Sequence, residues 1–191
     1  MKKYILSLAI ILATFVYFDK INNCYGGNFK KSPKIGDSYQ GGIVAYILQP
    51  TDPGYDEKVL HGLIAAPTDQ SNGIQWYNGN YTLLGTGTDL GTGQSNTTAI
   101  IANQGEGNYA AKLCADLVLG DYSDWYLPSK NELNLLFLNK VKIGGFNNDG
   151  TYWSSSEDKK VFYAWREGFY SGSQVSSNKN VAYAVRAVRT F

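Results

Sequence analysis

The sequence predicts an α+β domain of antiparallel sheets, two to three short helices and long loops rich in Gly, Thr and Asn. Three observations carry that expectation. Short apolar runs at 43–48 and 59–66 are bounded by Gly41-Gly42, Pro50 and Pro67, the punctuation of buried strands. Helical spacing of apolar residues is confined to the middle of the chain, as in Leu133, Leu136 and Phe137. Strand-like runs at 151–156, 161–169 and 181–189 then follow one another with turn signals between them.

The 191 residues suit one domain behind a short targeting segment. Lys2 and Lys3 precede an apolar run over 4–18, which matches the charged and apolar regions of a secretory signal and is short for a membrane span. Residues 1–26 are therefore read as a signal peptide or lipoprotein leader, 27–34 as a linker and 35–191 as the domain. Both leader types stay open. Asp19 and Lys20 follow the run without an A-x-A site, and Cys24, the candidate acylated residue, is preceded by Asn23 where a small residue is usual. Either way the expectation is export to the cell surface or beyond, with the membrane touched only through a leader or lipid anchor.

Loss of residues 1–26 removes Lys2, Lys3, Lys20 and Asp19, taking 17 basic and 16 acidic residues to 14 and 15, a net charge of −1. Such a chain lacks the positive field of a general nucleic-acid or anionic-membrane binder, so partner recognition is expected to be local. With only Cys24 and Cys114 there is no disulfide framework. Cys114 falls on an apolar helix face and reads as a small buried hydrophobe, and a bridge to Cys24 would tie a leader to that helix.

Taken in order, 43–48 and 59–66 flank the turn signal Asp52-Pro53-Gly54 and are expected to form an antiparallel hairpin. The stretch 71–93 is dense in Gly, Thr and Asn around Trp76, Tyr77 and Tyr81, too polar for core and too aromatic for a plain linker, and is read as a long ordered loop. Helices are expected at 96–103 and 108–117, the second presenting Tyr109, Leu113 and Leu117 as one inward stripe. A strand over 124–128 must stop at Pro128, and Ser129 with Glu132 three residues later writes a capping box for a helix over 130–140, closed by Gly144-Gly145. Trp125, Trp153 and Trp165, in three predicted strands, are expected to pack together as the core of this end of the domain.

Alternation along 161–169 puts Tyr163, Trp165, Glu167 and Phe169 on one face and Phe162, Ala164, Arg166 and Gly168 on the other. The more aromatic face is expected to point inward. Phe162 and Arg166 then face outward beside a loop over 170–178 rich in Tyr, Ser, Gly and Asn, residue types that supply rigid contact area and adaptable hydrogen bonds. Phe162, Arg166, Tyr170 and Gln174 are the candidate ligand-binding residues; a solvated hairpin loop is the plainer alternative. Arg186 and Arg189 are expected on opposite faces of the last strand, with Arg186 paired to Glu157 or Asp124.

No catalytic residue, metal site or cofactor is expected. His61 is the lone histidine, no G-x-S-x-G elbow occurs, and Ser154, Ser155 and Ser156 read as hydroxyls supporting backbone. One His and two distant Cys do not have zinc spacing. Asn147-Asn148-Asp149-Gly150 offers oxygens but lacks the alternating carboxylates and distal Glu of a calcium loop, and reads as a turn. The glycines of 85–93 have no Lys-[ST] after them and serve loop geometry instead.

The ordered motifs Asp124-Trp125-Tyr126-Leu127-Pro128, Tyr152-Trp153-Ser154-Ser155-Ser156-Glu157, Ala164-Trp165 and Val185-Arg186-Ala187-Val188-Arg189 resemble the Lcl C-terminal domain family of bacterial surface proteins, with Tyr126 where that family usually has Arg. The resemblance extends over 36–191, counting 36–44 and 63–67. It implies a C-type-lectin-like fold, extracellular exposure and, in some members, binding of host or surface polymers. The expected function is an exported, adhesin-like binding module for a glycan or an extracellular or cell-surface protein, without catalysis; the alternative is a structural or accessory subunit of a surface assembly. Formylglycine-generating enzymes share the fold class, but no C-terminal cysteine exists here to carry their chemistry, and the Glu-Pro-Asn or Gln-Pro-Asp triplets of calcium-dependent lectins are absent.

Overall fold

The computed structural model describes residues 32–191, and the readings made for the leader, for Cys24 and for most of the linker lie outside the described residues. Among the described residues, nine strands and four helices follow in chain order. They are β1 (Ser38–Tyr39), β2 (Gly42–Ile47), β3 (Gly62–Ala65), β4 (Ser71–Ile74), α1 (Gly93–Gln104), α2 (Ala110–Ala115), α3 (Lys130–Leu138), α4 (Lys140–Ile143), β5 (Thr151–Glu157), β6 (Tyr163–Gly168), β7 (Ser173–Asn178), β8 (Tyr183–Val185) and β9 (Val188–Thr190). The α+β class holds. Among the described residues no helix is long and apolar enough to cross a membrane.

Two sheets organise the domain, one ordered β1-β2-β3-β9 and the other β4-β8-β5-β6-β7. The expected hairpin is the antiparallel β2–β3 pair, in which Ile43 faces Ala65 and Ile47 faces Gly62. The expected single strand over 181–189 is two strands. β8 joins the five-stranded sheet and β9 joins the four-stranded one against β3, with Arg186-Ala187 carrying the chain from one to the other. That crossing introduces one parallel contact, Tyr152 with Ala184, into sheets otherwise antiparallel. β7 was expected as loop because Ser, Gln and Asn are poor strand formers, yet it pairs with β6 at every residue from Ser173 to Asn178. It is an edge strand, where polar residues are tolerated and guard against further pairing.

The capping box forms as written: Ser129 accepts from the Glu132 backbone N–H and its own N–H reaches Glu132 Oε2 at 2.7 Å. The Glu132 carboxylate is fully buried and also accepts from Gly91 N at 2.9 Å, so the glycine loop is folded onto the start of α3. A Cβ on Gly93 would collide with that carboxylate, which explains the glycine at the head of α1. Burial raises the Glu132 carboxyl above its ordinary range, opposed by these backbone donors.

Two apolar clusters fill the domain. One gathers Ile64, Trp76, Ile100, Tyr109, Trp125, Trp153, Ala164 and Val185; the other gathers Leu63, Tyr126, Leu133, Leu136, Tyr152, Phe169 and Val188. Trp125 and Trp153 share the first cluster as expected, although Trp125 lies outside any strand, beside the isolated bridge Tyr126–Val188. The third core indole is Trp76, not Trp165. Trp76 is fully buried and donates Nε1–H to the Ser154 carbonyl at 2.8 Å, while Trp165 is half-buried beneath the Lys130 ammonium, 3.6 Å from its ring. Likewise the 71–93 stretch is not only loop, since it contributes β4 and this core residue. Cys114 is fully buried, and its thiol is pushed up by that burial.

Three buried cations are held by carboxylates. Arg186 pairs with Asp69 at 2.7 Å, neither Glu157 nor Asp124, and also donates to the carbonyls of Ala66, Gly144 and Gly145. Glu157 instead receives Lys179 Nζ at 2.6 Å, and Asp124 takes a two-point grip from Arg189 at 2.6 and 2.9 Å. The two arginines do diverge, but because the chain changes sheets between them.

Candidate functional site

In the β6–β7 hairpin, directly opposed residues share a face. Trp153, Arg166 and Val175 are opposed across β5, β6 and β7, as are Tyr152, Glu167 and Gln174. The second set turns toward α3. Gln174 Nε2 donates to the Lys130 carbonyl at 2.9 Å and to Glu167 Oε2 at 3.1 Å, and Glu167 is fully buried. That face is closed.

The first set forms the core near Trp153 and Ala164, then opens toward the sheet edge. Ala164, expected to face outward, is fully buried in the Trp153 cluster, because Trp76 and the rest of that cluster cover this half of the face. Beyond them Phe162 is 49% exposed, Val175 37% and Val181 37%. Arg166 sits between, its guanidinium 5.7 Å from the Tyr183 ring, and Tyr183 packs edge-on against Trp153 at 4.8 Å. Ser177 Oγ and the Tyr183 hydroxyl lie 3.0 Å apart on the same surface. Phe162 meets Tyr81 edge-on at 4.9 Å, and Tyr81 stacks at a tilt on Tyr77 at 4.5 Å.

The Tyr77–Tyr81 loop is positioned by the buried Lys179–Glu157 pair. Lys179 Nζ reaches the Thr82 carbonyl at 3.2 Å, Glu157 Oε2 accepts from Leu84 N at 2.8 Å, and Tyr81 Oη donates to Asn178 Oδ1 at 3.2 Å. Lys179 also donates its backbone N–H to the Phe162 carbonyl, which ties the ring-bearing loop to the hairpin. Rigid backing of this kind holds exposed rings in place for contact.

The four candidate residues therefore do not converge. Phe162 and Arg166 share the open face; Gln174 is on the closed one, spent on Lys130 and Glu167. Tyr170 is 82% exposed in the turn at the far end of β6, about 20 Å of strand from Phe162. That turn is anchored where Gly172, at φ +73°, lets the Phe137 ring lie against its backbone. Tyr77, Tyr81, Val175 and Tyr183 complete the face and were not anticipated. The aromatic density of 76–81 was the available signal, but its partner across the domain is set by tertiary contact.

Elsewhere, His61 Nδ1 lies 3.1 Å from the Phe191 carbonyl at the edge of an apolar cavity of about 300 Å³ walled by Leu48, Leu63 and Leu90. Ser154, Ser155 and Ser156 are all fully buried, bonded in turn to the Trp165 carbonyl, Asn96 and the Gly87 carbonyl. The Ser154 and Ser156 hydroxyls support backbone, as read from the sequence, while that of Ser155 accepts from the Asn96 side-chain amide. Asn147–Gly150 is a turn closed by Gly150 N to the Asn147 carbonyl at 2.9 Å.

No curated protein matches the chain at a significant level. A family model, the Lcl C-terminal domain, matches residues 66–189, well over half the chain and containing every motif that carried the resemblance from Asp124 onward. The stretch also holds all of the open face. The chain belongs to the Lcl C-terminal domain family.

Proposed function

We propose that this protein is an exported, surface-associated binding module of C-type-lectin-like fold that recognises a glycan or protein polymer through the open face of the β6–β7 sheet, without transforming it. The observation that supports this most is the combination on one face of exposed rings and a guanidinium free of intramolecular ion pairs among the described residues, backed by a buried ion pair. Aromatic rings stack on sugar faces or pack on protein, and arginine fixes orientation by forked hydrogen bonds. Family membership supports the reading by resemblance to surface proteins.

The test is a glycan and matrix-protein array probed with the full chain and a Phe162→Ala/Tyr81→Ala variant of unchanged circular dichroism. Binding should fall about tenfold or more, the loss of one or two stacking contacts. Undiminished binding would remove this face from consideration. A second reading, an accessory subunit of a surface assembly, is favoured by Leu138 and Val141, 65% and 90% exposed three residues apart near the α3–α4 junction. Crosslinking on cells that captures one stable protein partner through Val141, with the array blank, would favour it.

A further inference from the structure

The chain has three arginines, and two of them are saturated. Arg186 and Arg189 each hold a carboxylate, and the grip of Arg189 on Asp124 uses both oxygens. Arg166 makes no hydrogen bond or ion pair among the described residues, and its Nε is buried without an acceptor. Its two Nη groups likewise make no hydrogen bond among the described residues, the side chain is half-buried, and Nη1 lies beside Gly168. A guanidinium without an internal partner forgoes the charge-assisted hydrogen bonds that a carboxylate reaching its Nη groups would supply. We propose that Arg166 is the anchor for a ligand carboxylate, and that the ligand is a carboxylated polysaccharide whose uronate groups bind Arg166 while a neighbouring sugar stacks on Phe162.

This inference rests on the binding-face reading above. The planar fork of a guanidinium matches the planar fork of a carboxylate, the geometry this chain already uses between Arg189 and Asp124. Tyr183 underlies the guanidinium and limits its freedom, which lowers the ordering cost of binding. Ser177 Oγ and the Tyr183 hydroxyl stand beside it as neutral hydroxyl partners for sugar oxygens. Phe162 lies four residues earlier, in the turn that leads into β6, about 13 Å away along the backbone, and Arg166 Nη1 reaches the other way, beside Gly168. That spacing exceeds a single sugar ring, so a polymer engages both ends where a monosaccharide engages one. A net charge near zero, with the other two arginines paired internally, leaves Arg166 as the guanidinium open to a ligand among the described residues.

Unsulfated polygalacturonate, its fully methyl-esterified form, dextran sulfate and a poly-glutamate peptide are compared as immobilised ligands for the full chain. Polygalacturonate should be retained and its ester should not, because esterification removes only the charge and one acceptor. Arg166→Gln should weaken retention about ten- to a hundredfold, the worth of a charge-assisted pair, with Arg166→Lys recovering part of it. Both variants are checked for an unchanged thermal midpoint. Equal retention of the ester, stronger retention on dextran sulfate, preference for poly-glutamate, or wild-type affinity in Arg166→Gln would each overturn the carboxylated-sugar anchor. Esterified polymer held through Phe162 would sink that anchor alone and leave the binding face standing; retention insensitive to Phe162→Ala and Arg166→Gln alike would sink both.

Discussion

The Lys179–Glu157 pair and Arg166 are a short distance apart in sequence and belong to adjoining parts of one sheet, but their chemistry is opposite. Lys179 and Glu157 are buried, 2.6 Å apart, and each spends its remaining capacity on the 82–84 backbone. Arg166 has a ring beneath it and nothing to pair with among the described residues. The first arrangement is closed upon the protein and fixes the loop that carries Tyr77 and Tyr81. The second is left open to whatever arrives. Saturation of a charge thus separates groups that build the surface from a group that uses it.

The contrast is broken most severely at the closed pair. Lys179→Ala leaves the Glu157 carboxylate buried without its counter-charge and removes the cation from the Trp76 ring, 4.5 Å away. A loss of about 3–5 kcal/mol in urea-unfolding free energy is expected. Replacing Lys179 and Glu157 together by Met and Leu should cost much less, since no orphaned charge remains. A double variant as unstable as Lys179→Ala would show that the pair's hydrogen bonds to the loop, not its charge balance, hold this region. Close behind in size is Trp76→Ala, expected to cost about 3–5 kcal/mol as a cavity in the first cluster. Trp165→Ala should cost clearly less, because the ring is half-buried and covered by a lysine. Reversed order would mean that Trp165, not Trp76, anchors the domain.

That ordering also marks where the sequence was legible. Local signals held: the Ser129–Glu132 capping box, the β2–β3 hairpin and the buried Cys114 were all readable because each depends on residues near one another in the chain, whereas the strand expected before Pro128 is reduced to a single bridge at Tyr126. Non-local pairing was not. Trp76 looks like loop because Gly, Thr and Asn surround it, yet its indole N–H reaches the Ser154 carbonyl 78 residues away. Ser173–Asn178 has loop composition and becomes a strand only because β6 offers it a full ladder. At the site, period-two alternation put Ala164 and Arg166 on one face correctly, but could not tell that Trp76 and its cluster would bury Ala164 or that α3 would claim Gln174. The partner of Arg186 was missed for the same reason: Asp69 lies 117 residues earlier, with no periodicity to point at it.

Glu167 sharpens the comparison from the closed face. Burial pushes its carboxyl up to about 7, with the Gln174 amide and the Lys130 charge pulling the other way, and Oε1 is buried without a donor. An unfolded glutamate titrates near 4.3, so the folded state holds the proton more tightly. The stability cost is absent below about pH 4, grows as pH rises, and is complete above about pH 7, when both states are ionised. Glu167→Gln removes the titration. Relative to the native chain, the variant should gain about 2–3 kcal/mol between pH 4 and pH 8, read from paired urea melts. A pH-independent difference would mean that Glu167 is already satisfied in its charged form.

The smallest expected effect is the most diagnostic of the open face. Arg166→Ala breaks no ion pair or hydrogen bond among the described residues, and even relieves the orphaned Nε; only the packing of its alkyl stem over Tyr183 is lost. Thermal and urea midpoints should therefore move by no more than about 0.5 kcal/mol in free energy, against several for Arg186→Ala, whose Asp69 partner and three carbonyls would all be abandoned. The two substitutions delete the same guanidinium, so a large loss at Arg166 would reveal an intramolecular duty for it and make a poor case for a waiting ligand. A small one leaves a charged, half-buried side chain whose removal the fold does not feel, which is the condition under which its chemistry is free for a partner.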